Sequence, residues 1–141
     1  MMAEWPASEG AKTILAAHAV ISGWQIEIGA LPDKPDKIIS ITDSMGRTPN
    51  PKWLLDFLAL QIVTRGTVNG YLEAFREAKA VKDLMLGINS QDILLDRWVS
   101  VTQKGDMGFI GRDANMRPLF SVNFALIIEP QYVANSNRFS L

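Results

Sequence analysis

The sequence contains no cysteine and only one histidine, His18, and its 14 basic residues nearly balance its 15 acidic residues. Without cysteine the chain cannot be a disulfide scaffold, a thiolate zinc site or a cysteine enzyme. One histidine is too few for a histidine-rich metal site, and a formal net charge of -1 lacks the basic excess of a typical DNA-binding domain. Hydrophobic residues make up 48% of the chain and charged residues 21%, so we expect it to fold.

Long apolar runs are also missing. No run approaches the roughly 20 residues of a membrane-spanning helix, because Asp56 interrupts residues 53–60. The first nine residues contain Glu4, Pro6 and Glu9 and no positively charged region, so they do not predict a signal peptide. We therefore expect synthesis in the cytoplasm and no membrane partner.

Helical periodicity predicts two helices. Ser8 is expected to cap the first, which carries apolar residues at helical spacing up to Ile21. The second runs from Tyr71 to Leu86, with Asn69 as its expected cap and Gly87 at its end. Its predicted apolar side holds Tyr71, Leu72, Ala74, Phe75, Ala78, Val81, Met85 and Leu86, and the opposite side holds Glu73, Arg76, Glu77, Lys79 and Asp83.

Alternating apolar and polar residues predict strands around the second helix. They fall at residues 24–30, 37–42, 57–65, 98–102, 109–110 and 120–129. The polar segment 43–52 predicts a long loop, either a solvated connection or one that reaches a neighbouring subunit. We therefore predict one α+β domain over residues 1–141, with a mostly antiparallel twisted sheet, two helices packed on it, an N-terminal arm at 1–8 and a polar C-terminal tail at 131–141.

Tests for chemical motifs identify no catalytic, cofactor-binding or metal-ligating residues. His18 lies among apolar residues of the first predicted helix, which favours a structural or interface role over a general base. Gly105, Gly108 and Gly111 are flanked by β residues, so a turn and a bulged strand are favoured over a dinucleotide loop. The paired carboxylates at 33/36, 92/96 and 106/113 lie in predicted turns and show no ligand-loop pattern.

Four tryptophans stand at 5, 24, 53 and 98. We assign Trp24 and Trp98 to the core and Trp5, in the N-terminal arm, to an interface between subunits, because large aromatics are favoured in both places. The basic residues are scattered without interleaved aromatics, which disfavours a nucleic-acid platform.

One segment carries a family resemblance. Residues 109–124 read FIGRDANMRPLFSVNF. This resembles the closing signature of tailed-bacteriophage minor capsid proteins of the tail-terminator type, in which a strand reaches a Gly-Arg-Asp turn, then Arg-Pro, then a strand ending in Ser-Val-Asn-Phe. Residues 35–43, 61–66 and 71–75 resemble, in the same order, that family's second strand, its strand ending in Arg-Gly and the start of the following helix. The resemblance covers about residues 10 to 130.

The resemblance implies a non-enzymatic virion protein of the tail or neck, made in the host bacterial cytoplasm and needing no cofactor. In the family such subunits form a ring, usually a hexamer, that ends tail-tube polymerisation and joins the tail tube to the head-completion or stopper protein. Double-stranded DNA passes through the lumen without sequence recognition, and near-neutral charge is consistent with this because strong phosphate binding would hinder sliding.

A closed ring needs two different contact patches on each subunit. Arg112, Asp113 and Arg117 are candidates for such contacts together with Trp5. The local alternative for the charged cluster is equally open: Asp113 and Asn115 make the turn, and both arginines face acidic neighbours in solvent. Two other functions also stay open, a head-completion (stopper or adaptor) neck protein and a small α+β ligand-binding module or enzyme unrelated to phage.

Overall fold

The computed structural model describes residues 5–18, 21, 23–49 and 55–130. Over these ranges two helices and seven strands follow one another. They are α1 (Ala7–Ala16), β1 (Gln25–Ile28), β2 (Ile38–Arg47), β3 (Asp56–Arg65), α2 (Tyr71–Leu86), β4 (Gln91–Ile93), β5 (Asp96–Gln103), β6 (Gly108–Arg112) and β7 (Pro118–Glu129).

The strands form one sheet in the order β1-β2-β3-β7-β5-β4, and β6 pairs with β7 beyond the end of β5. Only β1 and β2 are parallel, and every other described pair is antiparallel. The centre of the sheet is β3 against β7, paired without interruption from Asp56 with Ile128 to Arg65 with Leu119. The prediction of an α+β fold with a mostly antiparallel sheet and two helices is confirmed.

Both helices lie on one face of the sheet, α1 over β1 and β2 and α2 over β3, β5 and β7. Alternate residues of the central strands point into the core beneath them because side chains of a strand alternate between faces. The fully buried members of this row include Ile39, Ile41, Leu60, Ile62, Val122 and Phe124. Trp98 is buried in the core, as predicted, whereas Trp24 is only half-buried and packs against the edge of the core.

The start of α1 differs from the prediction. Pro6 occupies the N-cap position without a side-chain hydrogen bond, and Ser8 is a buried residue of the first turn. The backbone N–H and the hydroxyl of Ser8 donate instead to the two carboxylate oxygens of Asp43, at 3.1 and 2.6 Å. A carboxylate from β2 thus accepts from an N–H that Pro6, which has no side-chain acceptor, leaves unpaired, and local sequence reasoning cannot predict this contact. The helix also ends at Ala16, before His18 and Ile21.

The predicted loop at 43–52 is wrong in its first half, because β2 continues to Arg47. Residues 43–47 are exposed and mostly polar, yet they pair with β3, from Asp43 with Leu60 to Arg47 with Phe57 across a bulge. At this bulge a Cβ on Gly46 would lie 1.9 Å from the carbonyl oxygen of Phe57, so only glycine fits. Residues 50–54, including Trp53, lie outside the described residues, as do 1–4 and 131–141.

The bounds predicted for α2 are confirmed, but its buried side is rotated from the prediction. Ala74, Glu77, Ala78, Val81 and Met85 face the sheet, whereas four large apolar residues of the predicted apolar side are exposed (Tyr71, Leu72, Phe75 and Leu86). Small residues let the helix approach the sheet closely. The N-cap is Gly70 and not Asn69, and no side chain bonds the helix start.

Candidate functional site

The signature residues meet the 32–36 segment in one place, which we name the two-arginine cluster: Arg65, Asp113, Arg117 and residues 32–36. Arg65 ends β3 and Arg117 precedes β7, so the pairing of the two strands brings both guanidinium groups to one end of the sheet. Segments far apart in the chain that carry the family resemblance are therefore neighbours in space.

Arg117 is 4% exposed and bonded within its own chain. Its Nε donates to Asp113 at 2.8 Å, and its two terminal nitrogens reach Asp36 Oδ1 and Asp33 Oδ1, each at 2.9 Å. One of them also donates to the carbonyl oxygen of Asp33. The flanking carboxylates raise the pKa of Arg117 against the opposing effect of its desolvation. Arg117 therefore joins the 32–36 segment to the turn between β6 and β7, and the local alternative is wrong in placing it in solvent.

Arg65 was not singled out by sequence analysis as a site residue, yet its side chain is fully buried. Its guanidinium donates to main-chain carbonyl oxygens of Pro32, Pro35 and Asp36 at 2.6 to 3.0 Å and to that of Asp33 at 3.3 Å. Main-chain carbonyl oxygens accept all of these hydrogen bonds, so the contacts of the buried Arg65 guanidinium do not depend on the side chains of the 32–36 segment. The turn of prolines and aspartates before β2 was the sequence signal for this contact, because its main-chain carbonyl groups need hydrogen-bond donors.

Asp113 shapes the turn between β6 and β7. Its Oδ1 accepts from the backbone N–H groups of Asn115 and Arg117 at 3.0 and 2.9 Å. Burial raises the pKa of Asp113, but the hydrogen bonds from Arg117 and Asn115 outweigh it and hold that pKa below its ordinary value. This agrees with the local alternative, in which Asp113 makes the turn.

Arg112 and Trp5 are the two predicted interface residues with accessible side chains. Arg112 is exposed, and its guanidinium donates to the carbonyl oxygens of Val68 and Met116 at 3.1 and 2.9 Å. It forms no ion pair within the described residues. Trp5 is 47% exposed just before α1 and lies far from the two-arginine cluster in sequence. His18 is exposed as well and lines a groove with Lys12, Ile21, Trp24 and Ile26.

An aromatic group that sequence analysis missed covers the edge of the sheet beside β6. Tyr71 and Phe75 of α2 pack against Phe120, with ring centroids 5.0 and 5.8 Å apart, and Phe109 of β6 lies 5.3 Å from Tyr71. Phe109 keeps 45% of its surface exposed, and Ile110 beside it keeps 54%. The interpretation of the glycines as a turn and a bulge is confirmed, since β6 shifts register between Phe109 and Gly111.

Glu77 is an ionisable residue beneath α2, only 7% exposed. Its Oε2 has no hydrogen-bond partner within the described residues. Desolvation raises the pKa of Glu77 to about 7, with repulsion from Glu73 adding to the effect and the charge of Lys37 opposing it. A buried carboxyl with a pKa raised in this way is neutral over the acidic range, which explains how the core tolerates it.

The face of the sheet away from the helices mixes polar and apolar residues, with Val63 between Ser40 and Ser121, and it has no charged side chain at its centre. Arg47 and Lys104 lie at its margin. We name it the helix-free face: Ser40, Thr42, Gln61, Ser121 and Asn123. Thr42, Gln61 and Asn123 form one cross-strand row, and Gln61 donates to Ser121 on the same side. Ser40 and Ser121 are buried, so Thr42, Gln61 and Asn123 are the accessible polar residues of this face, and none of them carries a charge that would bind an anion.

Within the described residues no helix is long and apolar enough to cross a membrane. Over the same residues no three histidine, aspartate or glutamate side chains come together as a metal site.

Comparison with known proteins identifies the family. The family model described as bacteriophage tail terminator protein matches residues 12–130. Among the solved structures that resemble the chain is a subunit titled as part of the virion of a native gene transfer agent particle. It has a TM-score of 0.65 and 16% identity, over 86% of this chain and 93% of that one. A comparison with curated proteins gave no match. The fold is therefore shared with a virion subunit, and the match over most of its length shows that the chain belongs to the bacteriophage tail terminator protein family.

Proposed function

We propose that this structural phage tail protein forms a ring, with six subunits as the expected number, at the head-proximal end of the tail. The ring ends polymerisation of the tail tube and joins it to the head-completion or stopper protein of the neck. The observation that carries the proposal is the family match over residues 12–130. The two-arginine cluster supports it, because its hydrogen bonds join the resembling segments at one end of the sheet.

The proposed ring contacts divide by exposure. Trp5 and Arg112 have accessible side chains for direct contact with a neighbour. Asp113 and Arg117 contribute by holding the β6–β7 turn that presents Arg112. Double-stranded DNA is the proposed content of the lumen, and the uncharged helix-free face suits its passage since few phosphates would be neutralised.

Mass photometry and negative-stain microscopy of the full chain, alone and with purified tail tubes, test the proposal. We expect a cyclic oligomer, formed alone or on the tube end, and shorter tubes when the chain is present during polymerisation. A chain that stays monomeric and leaves tube length unchanged contradicts it. Pull-downs against the portal-side ring and the tube separate the two neck roles, because binding to the portal side alone identifies a stopper protein.

A further inference from the structure

We propose that neighbouring subunits join edge to edge, with β1 of one subunit adding to β6 of the next, so that the sheet continues across the boundary. The proposal rests on the ring function above and names the surface by which the ring closes. Within the described residues neither β1 nor β6 has a strand on its outer side. Open strand edges present unpaired backbone groups that recognise another extended strand.

The β6 edge exposes apolar side chains, although the strand is short, carries a bulge between Phe109 and Gly111 and ends in Arg112. Gly108–Arg112 contains no lysine and no proline, and Phe109 and Ile110 are both exposed on it. Proteins usually guard such an edge with charge, proline or a covering element. An open strand edge with exposed apolar side chains fits a contact that is covered after assembly.

The register places β1 and β6 at the same level of the sheet. Ile26 pairs with Ile39, Ile39 with Thr64, Thr64 with Phe120, and Phe120 with Phe109. In the same way, the row of paired residues that starts at Glu27 crosses the sheet to Gly108, and the row that starts at Gln25 crosses it to Gly111. A neighbour added without a shift along the strands therefore meets β6 in register, and a contact without axial shift closes a ring instead of winding a filament.

Strand direction agrees with this arrangement. β1 runs with β2 and β7, and β6 runs against β7. A rotation about an axis along the strands keeps every direction, so β1 of the neighbour would lie antiparallel to β6. Antiparallel strands pair directly through their backbone hydrogen bonds.

The side chains of the two edges are complementary. Gly108 and Gly111 have no side chain, and a Cβ added to either meets no atom within 4 Å, so Glu27 and Gln25 of a neighbour find space there. Lys104, whose backbone N–H donates to Asn123, lies two residues along the strands from the row of Gly108 and on the same face, so its ammonium group is placed for Glu27 of a neighbour, which has no ion pair within the described residues. On the helix side, Phe109 and Tyr71 project beside β6, and a groove of about 540 Å³ between α1 and β1 could receive them.

Cysteine cross-linking tests the contact directly, because the chain has no cysteine of its own. Positions 27 and 108 of one chain are four strand spacings apart, about 19 Å, so a disulfide cannot form within a subunit. We expect Glu27→Cys/Gly108→Cys rings, oxidised with copper phenanthroline, to give a ladder of linked subunits on non-reducing gels. The control pair Glu27→Cys/Met45→Cys, with Met45 93% exposed on β2, should give none.

Opposite charges at Gly108 give a second test that does not depend on oxidation. Gly108→Glu would place a carboxylate against Glu27 and should raise the concentration for half-assembly at least tenfold. Gly108→Lys, of similar size, should raise it far less, and Gly108→Glu with Glu27→Lys should restore assembly. Circular dichroism checks that each variant folds.

The outcomes separate the contact from the ring function. Rings that give no 27–108 ladder, or that assemble equally with glutamate and lysine at position 108, overturn the edge pairing and leave the ring intact. A wild-type chain that remains monomeric even with tail tubes overturns the ring function and this contact with it.

Discussion

At the scale of single residues, two arginines of one turn have opposite surroundings. Arg117 is buried with four hydrogen bonds to the 32–36 segment and Asp113, whereas Arg112 is exposed and bonds two carbonyls at the surface. Removing a buried charged donor leaves its acceptors unpaired, which costs more than removing an exposed one.

Arg117→Ala should therefore lower the free energy of unfolding by about 2–3 kcal/mol, since its partners are partly solvated and recover some hydration. Arg112→Ala should change it by about 0.5 kcal/mol or less. Urea denaturation followed by circular dichroism measures both. Equal, small effects would mean that the two-arginine cluster does not stabilise the fold, and Arg117 would again be a candidate for direct ring contacts.

The buried carboxyl of Glu77 makes stability depend on pH. Its pKa is raised from the ordinary value of 4.5 to about 7 in the folded chain, so between these values the folded state holds a proton that the unfolded state has lost. Stability from this group is full below about pH 4.5 and falls as pH rises to about 7, by on the order of 2–3 kcal/mol.

Glu77→Gln should remove this fall, because the amide stays neutral at every pH. The variant should match the wild type near pH 4.5 and exceed it near pH 8, as measured by urea denaturation at both. The exposed Glu129→Gln should keep the wild-type dependence. A Glu77→Gln profile that still falls between these two conditions assigns the effect to another group.

At the scale of elements, α1 depends on β2 for its N-terminal bonding. Asp43 accepts both the N–H and the hydroxyl of Ser8, so a strand residue performs the role that a local cap usually has. Asp43→Ala should lower the free energy of unfolding by about 1–2 kcal/mol, the usual cost of losing a cap. The exposed Asp83→Ala should shift it by about 0.5 kcal/mol or less. Thermal denaturation compares the two, and equal losses would show that the Asp43 contact does not stabilise the helix.

Periodicity predicted the elements whose pattern is set by their own residues, and missed what neighbours decide. α2 was located to the residue, and β3 and β7 closely, because each has a strong apolar pattern. The continuation of β2 through Asp43–Arg47 has no such pattern. Pairing with β3 keeps this segment in a strand, and sequence periodicity does not show that pairing. The rotation of α2 likewise depends on which residues let the helix approach the sheet, so Glu77 was placed on the wrong side.

The candidate site was likewise predictable from its local sequence, but not in the contacts that distant segments make. The resemblance located the Gly-Arg-Asp turn, but only the pairing of β3 with β7 brings Arg65 next to Arg117. Sequence alone could not tell Arg112 from Arg117, since both are arginines of one turn, and the difference lies in the distant 32–36 segment that covers one of them.

At the scale of the whole molecule, the sheet separates a helical side from a side whose centre carries no charge. If edge-to-edge subunits close with the helices outward, the helix-free face lines the lumen and meets the DNA. A near-neutral lining has few cations to neutralise phosphates, so duplex DNA can slide through it. In this arrangement, the sliding of DNA explains why the centre of that face lacks charge.

Added cations on that face should hold DNA. Thr42→Lys combined with Asn123→Lys puts two lysines per subunit on the helix-free face, whereas Thr13→Lys puts one on the exposed side of α1. We expect assembled rings of the double variant to bind linear duplex DNA with an affinity that falls steeply as salt rises, because each neutralised phosphate releases counterions. Fluorescence anisotropy across a salt series measures this. Binding by the Thr13→Lys ring and not by the double variant would place the helices, and not the polar face, toward the DNA.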